Sequence, residues 1–97
     1  MAYYAIFDTE IVDPKGYKEY QAKVGFGIEA NGGKYLSRGG DLKVLEGNWD
    51  LHRIVTLEFP DKAAFEHWYH GAEYQALKVI RDRTVRTNAF TFGGFEA

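Results

Sequence analysis

The densest run of reactive side chains is "HWYHGAEYQ", residues 67 to 75, with two histidines, two tyrosines, Trp68 and Glu73. His67 and His70 stand three apart, a spacing that puts two side chains on one helix face, with Glu66 and Glu73 alongside. A metal could use that spacing. Trp68, however, must point inward with Ala64 and Phe65. His67 precedes it by one residue and so lies about 100° around the helix. His70 falls at the helix end, where a cation favours the dipole and can reach the last carbonyls. No third ligand follows at a defined spacing, so no metal is assigned here. Trp68, Tyr69 and Tyr74 are read as packing anchors on either side of a break at Gly71.

Two glycine motifs invite nucleotide chemistry. "GFGIEA", Gly25 to Ala30, matches G-x-G-x-x-G/A. That motif needs a tight turn after a strand, opening a helix onto a pyrophosphate. Here the glycines fall at the far end of a helical stretch, so close packing explains them better. "RGGD", Arg38 to Asp41, lacks a following Lys-Ser/Thr and a helix start, so it cannot cradle a phosphate. It reads as a bulge or kink in a long strand. Arg38, at that kink, is a candidate anion contact.

The strand-like segments carry the other candidates. In "YYAIFDTEIV", Tyr3, Ala5, Phe7, Thr9 and Ile11 form one row, and Tyr4, Ile6, Asp8 and Glu10 the other. In "HRIVTLEF", Arg53, Val55, Leu57 and Phe59 alternate with His52, Ile54, Thr56 and Glu58. The apolar rows suit a helix-covered face. The mixed rows suit either a partly polar cavity between two packed sheets or the fringe of an open sheet. His52, Glu58 and Asp8 are the acid–base candidates. His52 and Glu58 are about 20 Å apart along one strand at ~3.3 Å per residue, so a partner must come from another strand, such as Asp8. Arg38 and Arg53 are strand arginines flanked by apolar residues. Their heads need internal carboxylates, such as Glu46 and Glu58, or a bound anion. A planar guanidinium fork would hold a ligand carboxylate in two places at once.

The elements that must position these groups follow in order. After the first strand, Asp13-Pro14 starts a helix, as N-cap and first helical residue. Tyr17, Tyr20, Val24 and Ile28 form its apolar stripe, and Asn31-Gly32-Gly33 ends it. "KYLS" and "LKVLEG" read as two strand pieces, and residues 52 to 59 as the clearest strand. Asp61 caps a second helix, broken at Gly71 and resumed through Tyr74 and Leu77. "TNAFTFGGF" closes as a strand. The order is βαββαβ, which predicts an α+β, ferredoxin-like domain over residues 1–97: one antiparallel sheet with the helices on one face.

Bulk properties narrow the function. A 97-residue chain suits one domain. A net charge of −2 and no basic patch point away from nucleic acid. The chain has no cysteine, hence no disulfide or thiolate chemistry. No apolar run approaches the roughly 20 residues of a membrane span, and the opening residues lead directly into strand-like sequence. A cytoplasmic protein is expected.

The blocks "DPKGYKEY", "GGKYLSRGG", "VLEGNW", "HRIVTLEFP" and "WYHGAEYQALKVIR" together resemble the bacterial family catalogued as domain of unknown function 1330, within the dimeric α/β-barrel superfamily. The resemblance runs over nearly the whole chain. It implies a ferredoxin-like subunit paired sheet-to-sheet with a second copy, and it implies no activity. Arg38, Arg53, Glu58, Trp68 and Arg81 sit at positions matching recurrent motifs; His70 departs, since relatives tend to carry a small polar residue there. The expectation is a homodimer, with no cofactor, holding a small acidic or aromatic ligand between helices and sheet or between the two sheets. Tyr4, Tyr35 and Trp68 would supply walls, and Arg38, Arg53, His52 and Glu58 polar groups. The alternatives are a cofactor-independent enzyme, as among related monooxygenase and isomerase barrels, and a structural domain without ligand.

Overall fold

The computed structural model describes residues 1–95. Its elements run β1 (Tyr3–Ile11), α1 (Pro14–Ala30), β2 (Lys34–Arg38), β3 (Ile54–Phe59), α2 (Lys62–Tyr69), α3 (Ala72–Thr84) and β4 (Val85–Gly93). The four strands form one antiparallel sheet in the order β2-β3-β1-β4. This is the predicted α+β, ferredoxin-like arrangement, with its second helix in two pieces.

The helix signals act as expected. The Asp13 side chain accepts from the Gly16 amide at 3.1 Å, and Asp61 accepts from the Ala64 amide at 2.8 Å. At the end of α1 the Gly33 N–H reaches back to the Ile28 carbonyl at 2.8 Å. That bond satisfies a carbonyl which the helix itself leaves open. Gly71 separates α2 from α3 because the chain passes close there: a Cβ at Gly71 would stand 2.7 Å from the His67 carbonyl oxygen.

The core lies between the helices and one face of the sheet. Ala5, Phe7, Leu57 and Phe59 from the strands meet Tyr17, Tyr20, Val24 and Ile28 of α1 and Phe65, Trp68 and Tyr74 of α2 and α3. The rings of Phe59 and Trp68 stack at 5.4 Å, and Trp68 meets Tyr74 at 4.3 Å. Both predicted apolar rows face this core. The other face has no helix over it, and Phe90 and Phe92 remain 54% and 46% exposed there.

Several boundaries differ from expectation, among them β4, which runs Val85–Gly93 and not over residues 87–95. β3 starts at Ile54, not at residue 52. Residues 42–47, read as a strand piece, hold no strand, and the chain is exposed from Gly40 to Asp50. Gly39 and Gly40, at φ +79° and +105°, end β2 instead of kinking a longer strand. The irregularity itself comes earlier, between Tyr35 and Ser37.

Candidate functional site

That irregularity decides where Arg38 points. Tyr35 opposes Leu57, yet Ser37 opposes Thr56 and Arg38 opposes Val55. Leu36 is therefore an extra residue. Without it, alternation would put Arg38 on the face opposite Tyr35. With it, Tyr35 and Arg38 share the helix-covered face with Val55 and Leu57. The Arg38 guanidinium sits 5.1 Å from the centre of the Tyr35 ring, a cation–π contact.

A cleft opens beside this pair, between α1 and the sheet. Its lining includes Thr9, Tyr17, Tyr20, Gln21, Tyr35, Arg38, Arg53, Trp68 and Arg81, with Val24, Ile28 and Leu57 as apolar wall. The positively charged residues on it are three arginines, and among the described residues no carboxylate lines it. The cleft is narrow, with a volume of about 40 Å³.

The guanidinium groups are held by phenols. Arg53 donates to the Tyr17 hydroxyl at 3.3 Å, and its head lies against Gly39. The positive φ of Gly39 lets the chain leave the sheet beside Arg53 with no side chain in the way. Deeper, Arg81 donates to the Tyr74 hydroxyl at 3.0 Å, and the Tyr74 and Tyr20 hydroxyls are 2.9 Å apart. Arg81 also binds Asp82 at 3.1 Å. Burial pushes the Tyr20 hydroxyl well above the ordinary tyrosine range. Burial also raises Tyr35, with Arg38 pulling partly the other way.

The expected internal partners of Arg38 and Arg53 do not take them. Glu58 pairs with Lys34 at 3.0 Å and accepts from the Tyr4 hydroxyl at 3.3 Å. Those contacts, Lys34 foremost, hold the Glu58 carboxyl below its usual range. Glu46 lies in the exposed segment after β2. Among the described residues neither Arg38 nor Arg53 forms an ion pair.

The other predicted residues fall on the open face. Tyr4 is opposite Glu58 and Phe92, so it walls no part of the cleft. Asp8 accepts from the His52 backbone at 2.8 Å, and its second oxygen is 3.5 Å from His52 Nδ1. The suspected partnership of Asp8 and His52 is therefore present, and Glu58 is at the far end of the same face. His52 Nε2, however, is turned toward Glu10 at 3.6 Å and Asp50 at 3.8 Å. In the opening run, His67 Nδ1 stands 2.7 Å from Asn31 Oδ1. The Asn31 amide donates to the Gly27 carbonyl at 2.7 Å, which fixes its oxygen toward His67 and makes His67 Nδ1 the donor. Among the described residues no three of His, Asp, Glu or Cys are grouped to share an ion.

Of the residues proposed from sequence for ligand binding, Arg38, Arg53, Tyr35 and Trp68 line this cleft and Tyr4 does not, and the lining adds Thr9, Tyr17, Tyr20, Gln21 and Arg81. A signal for the tyrosines was present. A helix stripe meant only for packing has no use for hydroxyls, and buried tyrosines need hydrogen-bond partners.

Residues 2–95 match the family described as a domain of unknown function (DUF1330). No curated protein matches the chain in sequence. Among solved structures the chain is similar to a protein of unknown function from Rhodopseudomonas palustris, with 19% identity, a TM-score of 0.79, and 99% of this chain and 84% of that one covered. It is also similar to a dimeric ferredoxin-like protein of unknown function from Jannaschia sp., with 11% identity, a TM-score of 0.65 and coverage of 97% and 100%. A third is SnoaB, a cofactor-independent oxygenase from Streptomyces nogalater, with 10% identity, a TM-score of 0.58 and coverage of 99% and 93%. At these identities the likeness is one of fold.

Proposed function

The chain belongs to the DUF1330 family, and from that premise we propose that it is a homodimeric binder of a small carboxylate ligand, held in the cleft between α1 and the sheet. One observation carries this reading. Arg38 and Arg53 open onto a common narrow cleft, and the described residues offer neither of them a carboxylate. Arg53 is half-buried with only a phenol as partner, and exposed Arg38 lines the same cleft; a ligand carboxylate would give Arg53 an anion, and a bidentate fork would orient it. Apolar walls with a few convergent polar groups are the usual make-up of a small-molecule site.

The dimer rests on the open face. Tyr4, Ile6, Phe90 and Phe92 are neighbours on that face by strand register, with Ile54 beside Asp8 and with Glu10, Glu58 and Arg86 around them. A second copy laid sheet-to-sheet covers the apolar centre and leaves the charged fringe wet. The dimeric neighbour of like fold supports a dimer.

Benzoate is a suitable first probe, read by thermal unfolding. Ligand that binds only the folded state raises stability as its concentration passes Kd. Benzoate should raise the melting temperature, and neutral benzyl alcohol should not. Arg38→Lys should leave fold and dimer intact and weaken benzoate by about tenfold, because Lys lacks the fork and the flat stack on Tyr35. Equal stabilisation of wild type and Arg38→Lys would sink the proposal.

A second reading, a cofactor-independent enzyme, is favoured by the Asp8–His52 couple and by the fold shared with SnoaB. It expects turnover without added metal or flavin, lost in His52→Ala. Activity that survives His52→Ala removes it.

A further inference from the structure

The chain between β2 and β3 carries apolar side chains that its own fold does not use. From Asp41 to Asp50 all ten residues are exposed. Among them Leu42, Val44, Leu45 and Trp49 are 39%, 41%, 84% and 66% exposed. Among the described residues no backbone group in this stretch makes a backbone hydrogen bond. A polar arm with free backbone groups is ordinary, since water satisfies them. Four large apolar side chains on such an arm are not, because together they hold an apolar patch in water.

Both ends of the arm leave the sheet on its open side. Leu42 borders a hollow with Ser37, His52 and Ile54, and Ser37 and Ile54 lie on the open face by register. At the other end Asp50 stands 3.8 Å from His52 Nε2, which also neighbours Glu10 of that face. The arm is therefore continuous with the face that carries Tyr4, Ile6, Phe90 and Phe92, and a copy laid on that face meets the arm as well. The face alone is small for an interface. By register it carries four residues of β1, three of β3, four of β4 and two of β2. A standard interface uses roughly 20–30 residues a side. The ten exposed residues of the arm bring the face into that range.

We propose that residues 41–50 are a clasp for a second copy of this chain, with Leu45 and Trp49 of each copy packed against the other. Two-fold symmetry makes the contact twice over. This rests on the dimer proposed above and adds the arm to it.

The test reads Trp49 directly. Iodide quenches only indole rings that it can touch. The other tryptophan, Trp68, is 4% exposed in the single chain, and subtracting the signal of Trp49→Phe isolates Trp49. Wild type is diluted from tens of micromolar to low nanomolar while sedimentation velocity gives its mass. Phe90→Asp supplies the monomer if wild type does not dissociate. Iodide should quench Trp49 in the monomer and spare it in the dimer, with both signals following one dilution curve. Trp49→Ala should raise the dimer dissociation constant about thirtyfold, the weight of one interface hot spot. A dimer whose Trp49 stays open to iodide overturns the clasp and leaves sheet pairing standing, as does a Trp49→Ala dimer as tight as wild type. Shielding that persists in the monomer puts the arm on its own chain, and shielding that follows added benzoate makes it a lid over the cleft; either overturns the clasp. A wild type that is monomeric at every concentration is a failure of the dimer reading beneath, and takes the clasp with it.

Discussion

The two faces of the sheet come from the same strands, residue by residue in alternation, yet they solve opposite problems. The helix-covered face buries Ala5, Phe7, Leu57 and Phe59 to 8% exposure or less. It sets its guanidinium groups against phenols. The open face pairs its charges locally, Glu58 with Lys34 and Asp8 with His52, and leaves Phe90 and Phe92 about half exposed. On the covered face Arg38 and Arg53 lack charged partners, Arg81 has Asp82, and the apolar groups are satisfied. On the open face the reverse holds. Each face is therefore incomplete in the currency of its own missing neighbour: an anion for one, an apolar surface for the other.

The largest effect should come from the covered face. Trp68 is 4% exposed and touches Phe59, Phe65, Tyr69 and Tyr74. Trp68→Ala should cost about 3–5 kcal/mol in urea unfolding, the range for deleting a buried large aromatic. Phe90→Asp on the open face should cost a monomer little, since the side chain is already half wet. Its effect should appear in assembly instead: light scattering at tens of micromolar should find a dimer for wild type and a monomer for the variant. A wild-type monomer would break the comparison, because the open face would then need no neighbour.

Extremes of pH should separate the faces next. Burial raises the Tyr20 and Tyr74 hydroxyls above the value of about 10 that an unfolded tyrosine has. Their contribution to stability is therefore full below pH ~10 and is lost as pH climbs toward the folded values. Tyrosinate absorbance from these two should emerge together with unfolding, and a Tyr20→Phe/Tyr74→Phe variant should lack that step. Glu58 works in the other direction. Its carboxyl is held low by Lys34, so its contribution is present above pH ~4.3 and declines as pH falls through the folded value. Glu58→Gln should blunt acid sensitivity only slightly, because Lys34 is well exposed and solvent screens the pair.

The covered face was legible in sequence because two periodicities agreed on it. Tyr17, Tyr20, Val24 and Ile28 repeat at helical spacing, and Ala5, Phe7, Leu57 and Phe59 alternate at strand spacing. Caps at Asp13 and Asp61 fixed where the helices begin. The cleft was less legible because it depends on a single extra residue. Strict alternation puts Arg38 on the face opposite Tyr35, and nothing in "KYLSRGG" marks Leu36 as the residue that does not count. The partnership of Asp8 with His52 was visible as a need, since no partner for His52 stood on its own strand. Arg81 was placed at a recurrent motif position but not in the cleft: it occupies a helix stripe where an apolar residue would serve, and the buried Tyr74 hydroxyl and Asp82 are its partners. Residues 42–47, within the irregular stretch from Asp41 to Asp50, read as strand because Leu42, Val44 and Leu45 resemble one, but β-propensity forms no ladder without an adjacent strand.

The smallest effect should belong to the residue that looks most reactive. His70 caps the C-terminal end of α2, is exposed, and packs edge-on against Tyr69 at 5.2 Å. Its backbone N–H closes the helix on the Glu66 carbonyl at 2.9 Å, a bond that any residue but proline would make. What the imidazole adds is a favourable charge at the helix end when protonated, worth at most about 1 kcal/mol at an exposed site. His70→Ala should therefore shift urea unfolding by about 0.5 kcal/mol or less at neutral pH. His67 donates Nδ1–H to Asn31 and keeps Nε2 open, but among the described residues no third ligand stands with the two histidines. Adding zinc or nickel should move the melting temperatures of wild type and His70→Ala alike. A metal-dependent rise confined to wild type would make this helix end a site and would place chemistry outside both faces of the sheet.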